Sequence, residues 1–200
     1  MSHGERDELR SSMRAQRMAL GPAERIAAAR GVGEQLETLP EFLTDLRIAV
    51  YWAVRGELPL SHALPALVRR GQIAFLPVLA SDQHLRFAPW LPGQDLAANR
   101  FGIPEPDQNA ATVIDPHGLD VVLVPLLAFD RRGHRLGSGG GWYDRSFAFL
   151  HDLPRPAHTL LVGIGYSFQE VSMLPVEAHD VRLDFIVTER ELIDCNPAIQ

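Results

Sequence analysis

Apolar positions along the chain fall into two kinds of run that alternate. Short, near-continuous apolar stretches occur at Arg47 to Trp52, Ile73 to Val78, Val121 to Leu126, Thr159 to Tyr166 and Asp184 to Thr188. Runs of that length and composition read as strands buried on both faces. Ahead of them the pattern takes a helical period, predicting helices over Glu5 to Met18 and Pro22 to Thr38, split at Gly21-Pro22, where proline suits a first helical turn. Ser61 to Arg70 predicts a further helix, in which Pro65 is tolerable only near the first turn. Leu85 to Trp90 predicts an edge strand, and Leu91 to Pro116, rich in proline, glycine and polar residues, predicts a long surface excursion of the kind that often carries function. Strands alternating with helices imply an α/β fold with a largely parallel sheet covered on both faces.

Two hundred residues at 46% hydrophobic content suffice for a sizeable core, so one domain spanning residues 1–200 is expected, with room for a small subdomain. No apolar run reaches the length of a membrane span, and the charged stretch Glu5 to Arg17 is unlike a signal peptide. A soluble, cytoplasmic protein with no membrane partner is expected. The net charge of -6 argues against general nucleic-acid binding, which needs a broad basic surface, and points local basic clusters toward small anions. Cys195 is the only cysteine, which excludes an internal disulfide and a cysteine-rich zinc site.

The densest chemistry lies in Arg135-Leu136-Gly137-Ser138-Gly139-Gly140-Gly141-Trp142-Tyr143-Asp144-Arg145, directly after an apolar run. Glycine lacks a Cβ, so successive N–H groups can converge on an anion. The segment is not a P-loop, because no lysine follows, and it fails the dinucleotide fingerprint, because Trp142 stands where a glycine is needed. It leads into Ser146 to Leu150, which reads as helix, so an anion would meet a helix N-terminus. The alternative is an ordinary surface turn in which Asp144 favours the next helix.

Three further clusters are candidates. Arg6, Arg10 and Arg14 recur every four residues beside Leu9 and Met13, forming either a solvated charged face or a phosphate clamp of guanidinium forks. Trp52 and Glu57 stand just beyond the first strand, at the sheet edge where open α/β sheets bind ligands; Trp52 could equally be core and Glu57 a turn residue. Asp180, in Leu174-Pro175-Val176-Glu177-Ala178-His179-Asp180, could join Asp144 around a magnesium ion, which takes few protein carboxylates and leaves room for phosphate oxygens. His179 and Asp180 could equally be loop polar residues.

Taken in order, these segments resemble the 5-formyltetrahydrofolate cyclo-ligase family, also known as 5,10-methenyltetrahydrofolate synthetases. The likeness runs from the arginine-rich first helix through Gly56-Glu57, Leu76-Pro77-Val78, Phe101 to Pro106 and Val124 to Asp130. It continues through Arg135 to Arg145, Gly163 to Tyr166 and Leu174 to Asp180. The resemblance implies a three-layer, mostly parallel NagB/RpiA/CoA transferase-like fold. It implies ATP contacts from Arg6, Arg10 and Arg135 through Tyr143, folate contacts from Trp52, Glu57 and Trp142, and magnesium at Asp144 and Asp180. Three positions depart from frequent family residues: Arg6 stands for lysine, Ser138 for a larger aromatic or basic residue, and Trp142 for tyrosine or phenylalanine.

The reaction the resemblance implies is attack of the formyl oxygen on the γ-phosphate, ring closure by N10 and loss of phosphate, with Arg135 and Asp144 as the catalytic pair. A monomer is expected, and folates with one glutamate or several are both compatible. Two rivals stand beside this reading: a paralogue with another nucleotide-dependent reaction or no turnover, and an RNA-associated module using Arg6, Arg10 and Arg14.

Overall fold

The computed structural model describes residues 3–106 and 112–196. Helices α1 (His3–Ala19), α2 (Pro22–Leu36) and α3 (Pro40–Thr44) precede strand β1 (Arg47–Ala49), and α4 (Leu64–Arg69) leads to β2 (Ile73–Leu79) and β3 (Leu85–Pro89). Next come β4 (Ala97–Ala98), β5 (Pro104–Glu105), β6 (Val121–Pro125), β7 (Ala128–Phe129), β8 (Arg135–Leu136) and α5 (Trp142–Ser146). Strands β9 (Leu160–Ile164), β10 (Phe185–Val187) and β11 (Leu192–Asp194) complete the order. Seven strands form one sheet in the order β11-β10-β9-β6-β1-β2-β3, with the five inner strands parallel and both edge strands antiparallel.

Alternation along each inner strand assigns its residues to one of two cores. Ile48, Leu76, Val121, Leu123 and Val162 face one way and pack with Val32 and Leu36 of α2, Phe42 of α3 and Leu67 of α4. Ala49, Phe75, Val122, Val124 and Leu161 face the other way and pack with Phe147, Leu150 and Leu183. Both faces of the sheet are therefore buried, which is why its strands read as unbroken apolar runs. Among the described residues, no helix is long and apolar enough to cross a membrane.

Several elements differ from the sequence expectation. The first strand ends at Ala49 rather than Trp52, because the chain after Val50 leaves both neighbours. The helix expected over Ser146 to Leu150 instead occupies Trp142–Ser146 and passes into a 3-10 turn at Ala148–Asp152. Left-handed Gly141 (φ 62°) starts it early, so Trp142, Tyr143 and Asp144 are helical. The excursion after Leu91 carries the β4–β5 hairpin, and Ile114 bridges back to Phe87; residues 107–111 of that expected excursion lie outside the described residues. Two short antiparallel pieces, β7 and β8, have too few residues to show a period.

The β7–β8 hairpin is organised by Asp130, which is wholly buried. Its carboxylate accepts from the backbone N–H of Leu174 (2.9 Å), Arg132 (3.0 Å) and His134 (3.3 Å), and from the His134 ring (3.0 Å). Burial by itself pushes this carboxyl up, yet the Leu174 N–H and the His134 contacts outweigh it and hold Asp130 below the usual carboxylate range. A depressed carboxylate contributes stability that is complete above its unfolded value, about pH 4, and is lost as pH falls through the lower folded value. Asp130→Asn should therefore lower stability by about 2 kcal/mol at neutral pH, since charged acceptors lose more than neutral ones. Thermal unfolding followed from pH 7 down to pH 3 should show a shallower acid slope in the variant; equal melting points at pH 7 would remove this role from Asp130.

Candidate functional site

β1 pairs only as far as Ala49, opposite Phe75 of β2 and Val122 of β6, while those neighbours run on to Leu79 and Pro125. The gap left beyond Ala49 opens a cleft of about 380 Å³ at the C-terminal edge of the parallel strands, between oppositely running connections. Pro77 and Pro125 line its walls. Neither has a β1 residue opposite it, so the missing N–H of proline leaves no ladder bond unmade on that side.

The floor of the cleft is the chain that leaves β1. Tyr51 is buried and its hydroxyl donates to the Leu58 carbonyl (2.5 Å). Trp52 is 39% exposed rather than core and meets Trp90 edge-on at 6.0 Å. Glu57 closes a tight turn: its N–H donates to Val54 O (2.9 Å) and its carboxylate accepts from Val54 N–H (3.1 Å). It is thus both a turn residue and a cleft residue. Burial pushes the Glu57 carboxyl up, opposed by the Val54 N–H and by the charges of Arg17 and Arg55. Burial also raises the nearby Tyr143 and Tyr51 hydroxyls, with Glu57 the next cause in each.

The glycine loop forms the facing wall. Gly137 through Asp144 all line the cleft, with Gly139 (φ 98°) and Gly141 (φ 62°) in conformations that favour glycine. A Cβ on Gly140 would stand 2.7 Å from Trp142 Cδ1, so that glycine is needed for the indole's position. Two guanidinium groups stand over the Trp142 ring, Arg100 at 5.6 Å and Arg145 at 5.3 Å, and the ring meets Phe101 edge-on at 6.3 Å. The Phe101 loop is fixed by buried Glu105, whose carboxylate accepts from Leu79 N–H (3.1 Å) and the Asn99 amide (2.7 Å). Leu136, expected to contact the nucleotide, is instead buried against Met13, Leu127 and Leu174 and does not line the cleft. The expectation of a helix N-terminus behind an anion is also reduced, because α5 has only five residues and hence a small dipole.

On α1 the inward face differs from the expected stripe. Steps of four residues advance about 40° beyond a full turn, so Arg6, Arg10 and Arg14 drift around the helix, whereas Arg6, Arg10, Met13 and Arg17 stay aligned. Arg6 and Arg10 line the cleft and Arg14 does not. Arg10 donates to Gly137 O (3.2 Å) and to Asp7 (2.6 Å). Arg6 is buried, pairs with Glu177 and lies 3.8 Å from Asp180, and its Nε has no partner among the described residues.

The two candidate metal carboxylates share this corner. Arg135 donates to Asp144 (2.5 Å) and to the Val181 carbonyl, and Asp144 also accepts from Val181 N–H (3.2 Å). Burial lowers the Arg135 guanidinium, while Asp144 and then Asp180 act to raise it, so both acids face the same cation. Asp180 caps its own turn by accepting from Glu177 N–H (2.8 Å). No group of three or more acidic, histidine or cysteine side chains able to hold a metal occurs among the described residues. Two hard oxygen donors beside a phosphate-sized cleft fit magnesium, which retains waters and phosphate oxygens, better than a metal needing a full protein cage.

The structure thus brings Trp52, Glu57, Arg6, Arg10, Arg135, the glycine loop, Asp144 and Asp180 to one cleft. Arg17, Asn99 and Glu105 were not singled out by sequence. The only signal for Arg17 was its place on the Met13 face of α1.

The sequence model of the 5-formyltetrahydrofolate cyclo-ligase family matches residues 2–189. The chain is 32% identical over 185 residues to the 5-formyltetrahydrofolate cyclo-ligase of Haemophilus influenzae, covering 92% of this chain and 97% of that protein. It is 35% identical over 179 residues to the protein of that name from Escherichia coli K12, covering 88% and 96%. Its fold is similar to the 5,10-methenyltetrahydrofolate synthetase of Aquifex aeolicus, with a TM-score of 0.82, 30% identity, and 98% and 95% of the two chains covered.

The Gly140 backbone is not left-handed, so Gly140→Ala adds no backbone strain, but it must push Trp142 off its Arg100, Arg145 and Phe101 contacts and should lower stability by about 1 kcal/mol. By displacing Trp142 it should also weaken ligand binding in the cleft severalfold. Calorimetric titration with ATP and with 5-formyltetrahydrofolate, beside a thermal melt, checks both halves of that expectation.

Proposed function

Because the chain belongs to the 5-formyltetrahydrofolate cyclo-ligase family, we infer that it converts 5-formyltetrahydrofolate and ATP into 5,10-methenyltetrahydrofolate, ADP and phosphate. The observation that carries the assignment of this reaction to the cleft is the convergence there of Glu57, the glycine loop and the Arg135–Asp144 pair. We read residues 1–200 as one such domain, acting as a cytoplasmic monomer on folates with one glutamate or several.

In this reading the triphosphate lies along Gly137 to Gly141, where bare backbone N–H groups can reach its oxygens, and Arg6 and Arg10 reach it from α1. Arg6 lines the cleft while paired with Glu177, so a phosphate oxygen would compete with that carboxylate for its guanidinium. Glu57 accepts hydrogen bonds from the pterin ring amide and exocyclic amine, and Trp52 and Trp142 supply flat faces. So held, the formyl oxygen lies in line with the γ-phosphorus. Its lone pair forms the new P–O bond as the bond to the ADP oxygen breaks, giving an iminium phosphate. N10 then attacks the formyl carbon, loses its proton, and the phosphate departs with the C–O electrons.

ATP is needed because an amide-like oxygen leaves poorly until it is phosphorylated. No side-chain nucleophile takes part, so the protein contributes positioning and neutralisation of charge on the moving phosphoryl group. Arg135, held in place by Asp144 and the Val181 carbonyl, provides part of that neutralisation. Magnesium, held by Asp144 and Asp180, would add positive charge against the phosphate oxygens.

Incubation of the purified protein with 5-formyltetrahydrofolate, ATP and magnesium should produce methenyl absorbance, absent when ATP is withheld; no absorbance under saturating conditions would end the assignment. Asp144→Ala should abolish turnover, by a factor of about a hundred or more, while the chain stays folded. Near-normal kcat at saturating magnesium would count against the role given to Asp144. The raised Glu57 carboxyl sets the acid limb: folate binding that needs the carboxylate is complete above its folded value and is lost as pH falls through it, above the ordinary carboxylate range. Glu57→Gln should weaken folate binding at neutral pH and flatten that limb in kcat/KM for the folate. An unchanged limb in the variant would assign it to another group.

A further inference from the structure

We propose that Arg17 is a positioning residue for folate: its buried guanidinium, placed under the Val54–Glu57 turn, fixes Glu57 in the orientation that meets the pterin. The proposal rests on the reading of Glu57 as the pterin-binding carboxylate.

Arg17 is only 2% exposed, on a helix whose acidic residues Glu5, Asp7 and Glu8 face water. Its Nε donates to the Arg55 carbonyl (3.1 Å) and its Nη1 to the Leu126 carbonyl (3.3 Å). Leu126 directly follows β6, and Arg55 lies in the turn six residues beyond β1, the neighbouring strands between which the cleft opens. One guanidinium therefore bridges the two chain segments that bound the cleft floor.

The turn it holds needs holding. Arg55 (φ 50°) and Gly56 (φ 77°) are consecutive residues in the left-handed region, and for a non-glycine such as Arg55 that conformation is unfavourable. Other groups pack around the same turn. A Cβ on Gly56 would stand 3.1 Å from Arg17 O and 3.0 Å from Arg25 Nη1, so glycine is required there. Arg25 Nη2 donates to Arg17 O (2.9 Å), and the Tyr166 hydroxyl donates to Gly56 O (3.4 Å). Glu57 faces Arg17 and Arg55 as cations, the Val54 N–H as a donor, and Tyr51 and Tyr143 as neutral hydroxyls. Arg17 also opposes the burial that would neutralise Glu57.

The planar fork matters as much as the charge. The ammonium of lysine directs its three donors from a single nitrogen on a shorter reach, whereas Arg17 uses two nitrogens of a planar fork, so Arg17→Lys keeps the charge and loses the bridge geometry. A role confined to general stability would weaken every ligand alike; positioning of Glu57 would weaken folate selectively, and only while Glu57 is a carboxylate.

The test is a double-mutant cycle read by calorimetric titration of 5-formyltetrahydrofolate and, separately, ATP onto wild type, Arg17→Lys, Glu57→Gln and the double variant. Arg17→Lys should weaken folate binding about tenfold and leave ATP binding within about twofold. In the Glu57→Gln background the same change should have almost no further effect on folate. An equal loss in both backgrounds, or equal weakening of folate and ATP, would overturn the proposal. So would failure of both Arg17→Lys and Arg17→Gln to fold, since Arg17 would then serve the fold as a whole. Wild-type protein that binds ATP but no folate would sink the reading of the cleft itself, whereas normal binding of both by Arg17→Lys would sink the role of Arg17 alone.

Discussion

The cleft exists because one inner strand of the sheet stops short. β1 is three residues long, and its neighbours β2 and β6 extend past it by several residues, so the sheet splits at an inner strand rather than at an edge. A split inside a two-sided hydrophobic core would expose backbone polar groups and apolar walls at once. Two features make it tolerable. Prolines stand at the points where a β1 partner is missing, and a side-chain guanidinium from α1 satisfies carbonyls on both sides of the gap. The same opening provides a concave, mixed apolar and polar site at the strand ends.

Arginine recurs throughout this architecture because fork geometry serves two purposes. Arg17 and Arg25 bind backbone carbonyls and shape the turn beyond β1, whereas Arg6, Arg10 and Arg135 line the cleft. Arg135 does both, bridging the Val181 carbonyl and the Asp144 carboxylate. Its pairing with Asp144 means that cation and carboxylate position one another and are not independent tools. Similarly, Glu177 occupies Arg6 and ties α1 to the 174–181 loop, so the first helix is fastened to the cleft at both its ends.

Much of this arrangement was legible in the linear pattern. The inner strands were found because burial on both faces leaves continuous apolar runs such as Val121 to Val124. The glycine loop was found because four glycines beside arginines and aromatics have few structural uses. Trp52, Glu57, Asp144 and Asp180 were nominated by their place after strands or by family likeness. Misplacements have local causes: Leu136 alternates away from the cleft because it belongs to the short strand β8, too brief to reveal its period. Arg14 looked equivalent to Arg6 and Arg10 because a four-residue spacing only approximates the helical repeat, and over two such steps the error turns a side chain off the face.

By itself, the sequence determined the layer order, the apolar strands and helices that build it, and the chemical inventory of the loop between Arg135 and Arg145, because these follow from short-range periodicity and residue type. Only the tertiary structure decided that Arg17 bonds the Arg55 and Leu126 carbonyls, that Arg135 and Asp144 are partners, and that Asp180 shares their corner. Each of these depends on chain segments dozens of residues apart meeting where β1 ends, and the spacing along a chain carries no information about which distant carbonyl a buried guanidinium will find.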